Sequence, residues 1–389
     1  MNLEAIDKNL VHFEYKGSDK MKEISILEKP FSVHGMFYEN REVVKDFNNE
    51  GQVNEILDGS GDFCNCFARV PYEIVKQLSF GWSVLSSTTA GGRIKFSTNS
   101  NVIGVSVKWN YLNRTRNMPM SSQIGFLIVE EKDDGTRRAI KTLIPSPFLP
   151  MKSHGFAEVV DIREHFCDKQ TKMRNFIIYC PLYNEYITDI KVIVEKDARV
   201  ESGKAYKDIK PIVYYGSSIT QGGAVSRADN VYSAHIERWT NVDFVNLGAS
   251  GSAMGEPLMA EYAASIDSSI FVCDYDHNAP TVEFLRNTHY NFYKTYRNIR
   301  SKTPIIFMSK PVFDSGIEET NERFQVIKAT YDRARKEGDQ NVYLVDGRKF
   351  YTDRELGESC HVDFSHPNDL GHLYMAKALY KVIKKKKLL

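Results

Sequence analysis

The chain has 389 residues, of which 42% are hydrophobic and 26% are charged. These values are near the average for globular proteins, and they exclude a collagen-like, a wholly disordered or a disulfide-rich miniature protein. The 51 Lys and Arg residues balance 50 Asp and Glu residues, so the net charge is only +1. Such a balance provides no electrostatic footprint for nucleic acid or an anionic membrane. The length predicts two or three domains.

Targeting and redox signals are few. No run of eighteen apolar residues predicts a transmembrane helix, and the polar N-terminus, MNLEAIDKNLVHFEYKGSDK, lacks the apolar core of a secretory signal. The cysteines are sparse and irregularly spaced: Cys64, Cys66, Cys167, Cys180, Cys273 and Cys360. Together these features predict a cytoplasmic protein with reduced thiols. Cys64 and Cys66 could bind a metal, but no second pair accompanies them, so no metal site is expected.

The sequence of the first half of the chain predicts β-strands. Runs rich in β-branched and aromatic residues, separated by Gly, Asn and Asp turns, lie at 93–97, 102–109, 125–130 and 187–195. Only residues 72–78 suggest a short helix. Many short strands at close spacing predict an all-β sandwich domain of the jelly-roll kind over residues 1–205.

From about residue 210 the pattern changes. Five short apolar runs occupy 212–215, 242–245, 270–273, 305–308 and 342–345. Helix-length segments follow the first four, at 232–239, 254–264, 282–301 and 318–336, and a helix at 367–386 closes the chain. Alternating strands and helices predict a parallel sheet with helices on both faces, in a domain over residues 206–389.

Polar segments follow four of these five strands, at 216–223, 246–252, 274–280 and 363–368. The carboxyl ends of parallel strands share one edge of a sheet, where ligands bind. The segments bring a serine, glycine amides, Asn278 and an Asp-x-x-His pair to that edge. A serine needs a base to become a nucleophile, and an imidazole needs a carboxylate to orient it. Asp363 and His366 can supply the carboxylate and the base, and the amide of Ser218, a glycine amide and Asn278 can donate to an oxyanion.

Each segment also has a simpler interpretation. The serines could form an ordinary turn and helix cap, the glycines a loose loop, and Asp363 and His366 a capping motif with a surface histidine. His277 is a competing base. Arg227 and Asp229 could reach the substrate, although Asp229 could equally cap a helix. The chain lacks the Gly-x-Ser-x-Gly of α/β-hydrolases, the P-loop lysine and a dinucleotide-binding glycine motif. The joint occurrence of the four segments, in order, favours an acyl-transfer site.

These four segments resemble the SGNH/GDSL hydrolase superfamily, over about residues 211–389. The resemblance implies a flavodoxin-like, three-layer α/β/α domain with no cofactor. It implies that Ser218 is the nucleophile, with Ser217 where the family usually has Asp. Asp363 and His366 are then the acid and the base, and the oxyanion donors are Ser218, Gly251 and Asn278.

The segment at 275–280 (YDHNAP) departs from the family pattern, because it lacks the usual Gly and final Asp. Together with the preceding β domain, it resembles bacterial carbohydrate acetylesterases that carry an N-terminal jelly-roll domain. This resemblance implies a serine esterase that removes small acyl groups, acetyl foremost, from a small-molecule or oligosaccharide ester through an acyl-enzyme. Arg227 and His277 are the expected substrate-binding residues.

Two alternatives stay open: a lipase or lysophospholipase, and a non-catalytic carbohydrate-binding protein. No nucleic-acid or membrane partner is expected, and a homo-oligomer is compatible with the sequence. Trp82 and Trp109 in the β half could stack on sugars, although core packing is the simpler interpretation.

Overall fold

The computed structural model describes residues 15–43, 61–111, 117–146, 152–164, 172–311, 317–351 and 354–389. The described N-terminal half is built from antiparallel strands. They are β1 Met21–Ser25, β2 Ser32–His34, β3 Phe37–Glu42, β4 Phe63–Ala68, β5 Arg93–Thr98, β6 Val102–Tyr111, β7 Phe126–Glu131, β8 Arg137–Leu143, β9 Lys152–Asp161, β10 Arg174–Tyr179, β11 Ile187–Glu195 and β12 Val200–Ser202. Three short helices join them: α1 Tyr72–Val75, α2 Phe80–Leu85 and α3 Met120–Gln123.

Two of the sheets form a sandwich. One has the order β1-β11-β6-β9, and the other has the order β12-β5-β10-β7-β8 with β2 beside β5. Alternate residues of a strand point to the same face, so Ile103, Val105 and Val107 of β6 enter a core that they share with Ile94 and Phe96 of β5. Strands β3 and β4 pair separately. The predicted β sandwich is confirmed.

The C-terminal half is a three-layer α/β/α structure. Its strands are β13 Ile212–Gly216, β14 Phe244–Gly248, β15 Ile270–Asp274, β16 Ile305–Met308 and β17 Val342–Val345. Its helices are α4 Ser218–Gln221, α5 Tyr232–Thr240, α6 Pro257–Ser265, α7 Val282–Ile299, α8 Ile317–Lys336, α9 Arg354–Ser359 and α10 Asp369–Lys386. The strands are all parallel, in the order β14-β13-β15-β16-β17, which is the flavodoxin-like order.

The two faces of this sheet have separate apolar cores. Tyr214 packs with α5 and α10 on one face, and Tyr215 packs with α6, α7 and α8 on the other. A strand buried on both faces needs apolar residues throughout, which is why β13 reads IVYYG without alternation. The predicted α/β/α fold is confirmed.

Several predicted boundaries move by a few residues. The second strand, predicted at 242–245, lies at Phe244–Gly248, because Asn241 adopts a left-handed conformation that ends α5 and delays the strand. Helix α6 begins at Pro257 rather than residue 254, since proline suits the first position of a helix. Helix α10 begins at Asp369, because the Asn368 side chain accepts hydrogen bonds from two amides of the first turn. The predicted helix at 72–78 already ends at Val75.

Buried arginines of the N-terminal half contact the free lateral edge of the parallel sheet. Strand β14 lies at that edge, and its backbone carbonyls need donors. Arg93 Nη2 lies 2.8 Å from the carbonyl oxygen of Phe244. Arg69 Nη1 lies 2.8 Å from that of Asn246 and 2.9 Å from that of Gly248. The two arginines therefore satisfy carbonyls along the lateral edge of the sheet, as far as Gly248, where the glycine loop begins. The domain boundary at 205/206 stays a prediction, and it falls between β12 and β13.

None of the helices in these described ranges is long and apolar enough to cross a membrane. The five cysteines within the same ranges are free thiols; Cys167 lies outside the described residues.

Candidate active site

The predicted nucleophile lies at the turn between β13 and α4. The strand ends at Gly216. A β-carbon at this position would lie only 2.1 Å from Thr220 Oγ1 and 2.3 Å from the carbonyl oxygen of Asp274, so no residue larger than glycine fits. Ser217 then caps α4, because its hydroxyl accepts the Ile219 N–H at 3.2 Å. Serine and aspartate are both good caps, so Ser217 can fill this position where the resemblance implies Asp.

Ser218, His366 and Asp363 form a continuous hydrogen-bonded chain. Ser218 Oγ lies 2.8 Å from His366 Nε2. On the other side of the ring, His366 Nδ1 lies 2.8 Å from Asp363 Oδ2 and 3.1 Å from Oδ1. The structure thus brings together the three residues that the sequence predicted as nucleophile, base and acid.

Asp363 is held as a carboxylate. Burial opposes its ionisation, but hydrogen bonds from the Asn117 side chain and from the backbone and ring of His366 outweigh burial and lower the pKa of Asp363 to about 2. An ionised Asp363 only accepts hydrogen bonds, so the Nδ1 of His366 must carry the proton. The lone pair is then on Nε2, next to the Ser218 hydroxyl, as a general base requires.

The turn that holds Asp363 and His366 is shaped by its neighbours. Phe364 has a φ of +59°, a left-handed conformation that is uncommon for a bulky residue. This conformation lets the amides of Ser365 and His366 donate to Asp363 Oδ1 at 3.1 and 2.8 Å. Asn368, rather than Asp363, caps α10. The simple capping interpretation of Asp363 is therefore wrong.

The three predicted oxyanion donors lie in adjacent loops. The amide of Ser218 is the first of α4, and such amides have no acceptor within the helix. The Gly251 amide, however, donates to Asn278 Oδ1 at 3.2 Å. Asn278 Nδ2 donates to the carbonyls of Ala249 and Ala253 at 2.9 and 3.0 Å. The structure thus shows Asn278 joining the two loops, and the oxyanion roles of Gly251 and Asn278 stay predictions.

His277 lies beside the base, with its ring centroid 6.4 Å from that of His366. Its Nε2 lies 2.6 Å from the Ser365 hydroxyl. Burial, and then the charge of Lys310, lower the pKa of His277 to about 3, so its ring is neutral at physiological pH. It contacts the turn of the base and not Ser218, so the geometry favours His366 over His277 as the base.

Arg227 is engaged with its own loop. Its Nε donates to Asp229 Oδ1 at 3.1 Å, and Asp229 also accepts from Arg238. Asp229 thus pairs with two arginines and does not cap α5, whose cap position is Val231. Substrate binding by Arg227 and His277 stays a prediction.

Four residues that sequence reasoning did not assign also contact the site. The Tyr183 hydroxyl donates to the Ser218 carbonyl at 3.4 Å. Gln221 links the sandwich to the glycine loop, because it donates to the carbonyl of Leu182 and accepts from the Ser250 amide. Asn117 donates to Asp363. Arg69 donates to the carbonyl of Gly248, where the glycine loop begins. No local motif marks these residues, since their partners are 29 to 246 positions away.

No cluster of three metal-ligating side chains occurs among the described residues. Trp82 and Trp109 are 0% and 1% exposed. Both rings therefore pack in the interior and are not available to stack on a sugar in this structure.

Comparison with known proteins identifies the class. The model of the GDSL-like lipase/acylhydrolase family matches residues 209–384. The model of the N-terminus of SGNH-hydrolase-type esterases matches residues 46–200. No curated protein sequence matches the chain.

Solved structures share the whole architecture. A protein described as a GDSL-like lipase from Bacteroides ovatus is 26% identical, with a TM-score of 0.72 over 90% of this chain and 97% of that one. A salicylyl-acyltransferase from a tetracycline biosynthetic pathway is 16% identical, with a TM-score of 0.69; the match covers 96% of this chain and 99% of the acyltransferase. A family-two carbohydrate esterase from Clostridium thermocellum, in complex with cellohexaose, is 13% identical, with a TM-score of 0.52; the match covers 78% of this chain and 95% of the esterase.

The chain therefore belongs to the GDSL/SGNH esterase family, with the N-terminal domain of SGNH-type esterases ahead of the hydrolase fold. It is a carboxylic ester hydrolase.

Proposed function

We propose that this esterase hydrolyses small acyl esters, acetyl esters foremost, carried by carbohydrates, and that Ser218, His366 and Asp363 are its nucleophile, base and acid. The observation that carries the proposal is the continuous chain from Asp363 through His366 to Ser218, with a contact of 2.8 Å on each side of the imidazole. A serine hydroxyl becomes a useful nucleophile only with such a base and such an orienting group.

The first half of the reaction acylates the enzyme. Ser218 Oγ attacks the carbonyl carbon of the ester while His366 Nε2 takes the hydroxyl proton, and the carbonyl π pair moves onto oxygen. Asp363 stabilises the imidazolium that forms. The tetrahedral intermediate then expels the alcohol, which takes the proton back from Nε2. The sugar hydroxyl leaves, and the acyl group stays on Ser218.

The second half releases the acid. Water attacks the acyl-enzyme as Nε2 takes one of its protons, and collapse of the intermediate returns that proton to Ser218 Oγ. The sum is ester plus water giving carboxylic acid plus alcohol. The balance needs no oxidant, reductant or cofactor.

The developing oxyanion needs donors already in place. The Ser218 amide can be one of them. For Gly251 and Asn278 to join it, the Gly251 amide must leave Asn278 Oδ1, and Asn278 Nδ2 must leave a carbonyl of Ala249 or Ala253, so that both can donate to the oxyanion. The proposal therefore makes the glycine loop a part that adjusts when substrate binds.

Support for a carbohydrate substrate comes from architecture. The Clostridium thermocellum esterase shares a fold that spans most of both chains. A second candidate, a lipase acting on longer acyl chains, is favoured by the 26% identity to the Bacteroides ovatus protein. A cytoplasmic location and the oligomeric state stay predictions.

The discriminating experiment is a series of acyl chain lengths. We expect 4-nitrophenyl acetate to be turned over faster than the butyrate and octanoate esters, and acetate to be released from acetylated oligosaccharides. EDTA should leave the rates unchanged, and Ser218→Ala should abolish them. Faster turnover of octanoate, with fatty acid released from lysophospholipid, would support the lipase. Absence of any turnover would contradict an esterase function and favour a non-catalytic carbohydrate-binding protein.

A further inference from the structure

The carboxylate of Asp363 has a partner from the β sandwich. Asn117, which lies between β6 and α3, donates from Nδ2 to Asp363 Oδ2 at 2.9 Å, across 246 positions of sequence. The same oxygen accepts from His366 Nδ1 at 2.8 Å. Only the NH₂ group of an asparagine can donate to a carboxylate, so the chemistry fixes the orientation of this amide.

Within the described ranges, the other hydrogen bonds to Asp363 come from its own turn. Oδ1 accepts the amides of Ser365 and His366, and Oδ2 accepts the ring of His366. Asn117 holds the carboxylate from outside the turn. The side chain of Asp363 is 32% exposed, so without Asn117 water could take that place and the plane of the carboxylate could rotate away from Nδ1.

We propose that Asn117 is a positioning residue for the reaction: it fixes the orientation of Asp363, so the sandwich domain completes the machinery that sets the base. The proposal rests on the triad assigned under the proposed function. Under this proposal the sandwich domain contributes to catalysis by orienting Asp363, in addition to any contribution to substrate binding.

Two substitutions test the role. Asn117→Ala should lower kcat about tenfold, the worth of one hydrogen bond to a charged group. KM should stay within about twofold, because Asp363 acts most strongly when the imidazolium forms. The melting temperature should change little, because the contact is at the surface.

Asn117→Asp gives a pH signature that a merely structural role would not produce. Two carboxylates about 3 Å apart share a proton, so one of their pKa values rises strongly. While protonated, the new acid donates to Asp363 as Asn117 does, and activity should survive. As the pH rises and this proton leaves, activity should fall, and the unmodified protein has no carboxyl at position 117 to cause such a loss. Among the residues that the structure describes, the other titratable groups facing Asp363 are His366 and the neutral His277.

Asn40 provides the control. It is exposed on β3 and donates to Asn65 Oδ1 at 3.2 Å, so Asn40→Ala and Asn40→Asp make the same chemical changes away from the site and should leave kcat and the pH profile unchanged. The positioning role would be overturned if Asn117→Ala kept kcat within twofold, or if the Asn117→Asp pH profile superimposed on that of the unmodified protein, while Ser218→Ala was inactive. Full activity of Ser218→Ala would instead overturn the proposed function.

Discussion

Ser217 and Ser218 are neighbours whose hydroxyls have different partners. The Ser217 hydroxyl is fully buried and accepts the Ile219 N–H. The Ser218 hydroxyl lies 2.8 Å from His366 Nε2. The geometry therefore separates two serines that the sequence leaves ambiguous: one caps a helix, and the other faces the base.

This separation predicts different outcomes for two alanine substitutions. Ser218→Ala should abolish turnover of 4-nitrophenyl acetate with little change in melting temperature. Ser217→Ala should leave a measurable rate and lower the free energy of unfolding by about 1 kcal/mol, the usual cost of a lost cap. Steady-state kinetics and urea unfolding of both variants check this. Comparable residual activities, or the reverse order, would contradict the assignment.

Asn278 joins the two loops beside the nucleophile, so its removal should affect both stability and chemistry. Asn278→Ala leaves the Gly251 amide and two carbonyls without their partner, and the melting temperature should fall. If Asn278 also donates to the oxyanion, kcat should fall by about 10² to 10³ with a smaller change in KM. Both quantities are measured on the same preparation. A lower melting temperature with near-normal kcat would leave Asn278 with the joining role alone.

Arg69 supplies donors to the free edge of β14, and lysine cannot reproduce its fork. Arg69→Lys should lower the free energy of unfolding by about 2 kcal/mol, because buried carbonyls of Asn246 and Gly248 lose a donor. Arg163→Lys is the matched control, since Arg163 pairs with Asp161 at a half-exposed site, and it should change stability by under about 0.5 kcal/mol. Urea unfolding compares the two. Equal effects would show that the edge contact is unimportant.

A buried histidine predicts a pH-dependent stability. Burial of His289 lowers its pKa to about 3, whereas an unfolded histidine has a pKa of about 6.5. Between these values the unfolded chain binds one proton more, so the free energy of unfolding falls as the pH drops. By pH 4 this residue alone should cost about 3 kcal/mol.

His289→Gln removes that proton. The variant should be less stable at pH 7, because the contact of 2.9 Å between His289 Nδ1 and Thr330 Oγ1 is disturbed. The difference in melting temperature should narrow as the pH falls to 4. A constant difference across this range would mean that His289 is not held neutral.

Local patterns in the sequence predicted much of this structure. Alternation of short apolar runs and helical segments depends on residues close in the chain, and it predicted the five parallel strands and their helices to within a few residues. The Asp-x-x-His spacing predicted the contact between Asp363 and His366, because the four residues of one turn determine it.

Contacts between distant segments had no such signal. The hydrogen bond from Asn117 to Asp363 depends on how the sandwich packs against the hydrolase fold. The same is true of Arg69 at the edge of β14. Asn278 was predicted to lie near Gly251, and it does, but its amide donates to carbonyls of the glycine loop. Residue type and strand order placed this side chain, and only the folded loop determines its partners.

The most direct test of the central claim is to trap the nucleophile covalently. An aryl fluorophosphonate should add one phosphonyl group per chain, and peptide fragmentation in a mass spectrometer should localise it to Ser218. Labelling should vanish in Ser218→Ala, persist in Ser217→Ala and slow strongly in His366→Ala, because the base activates the hydroxyl. A label on Ser217, or labelling that is unchanged in Ser218→Ala, would contradict the account.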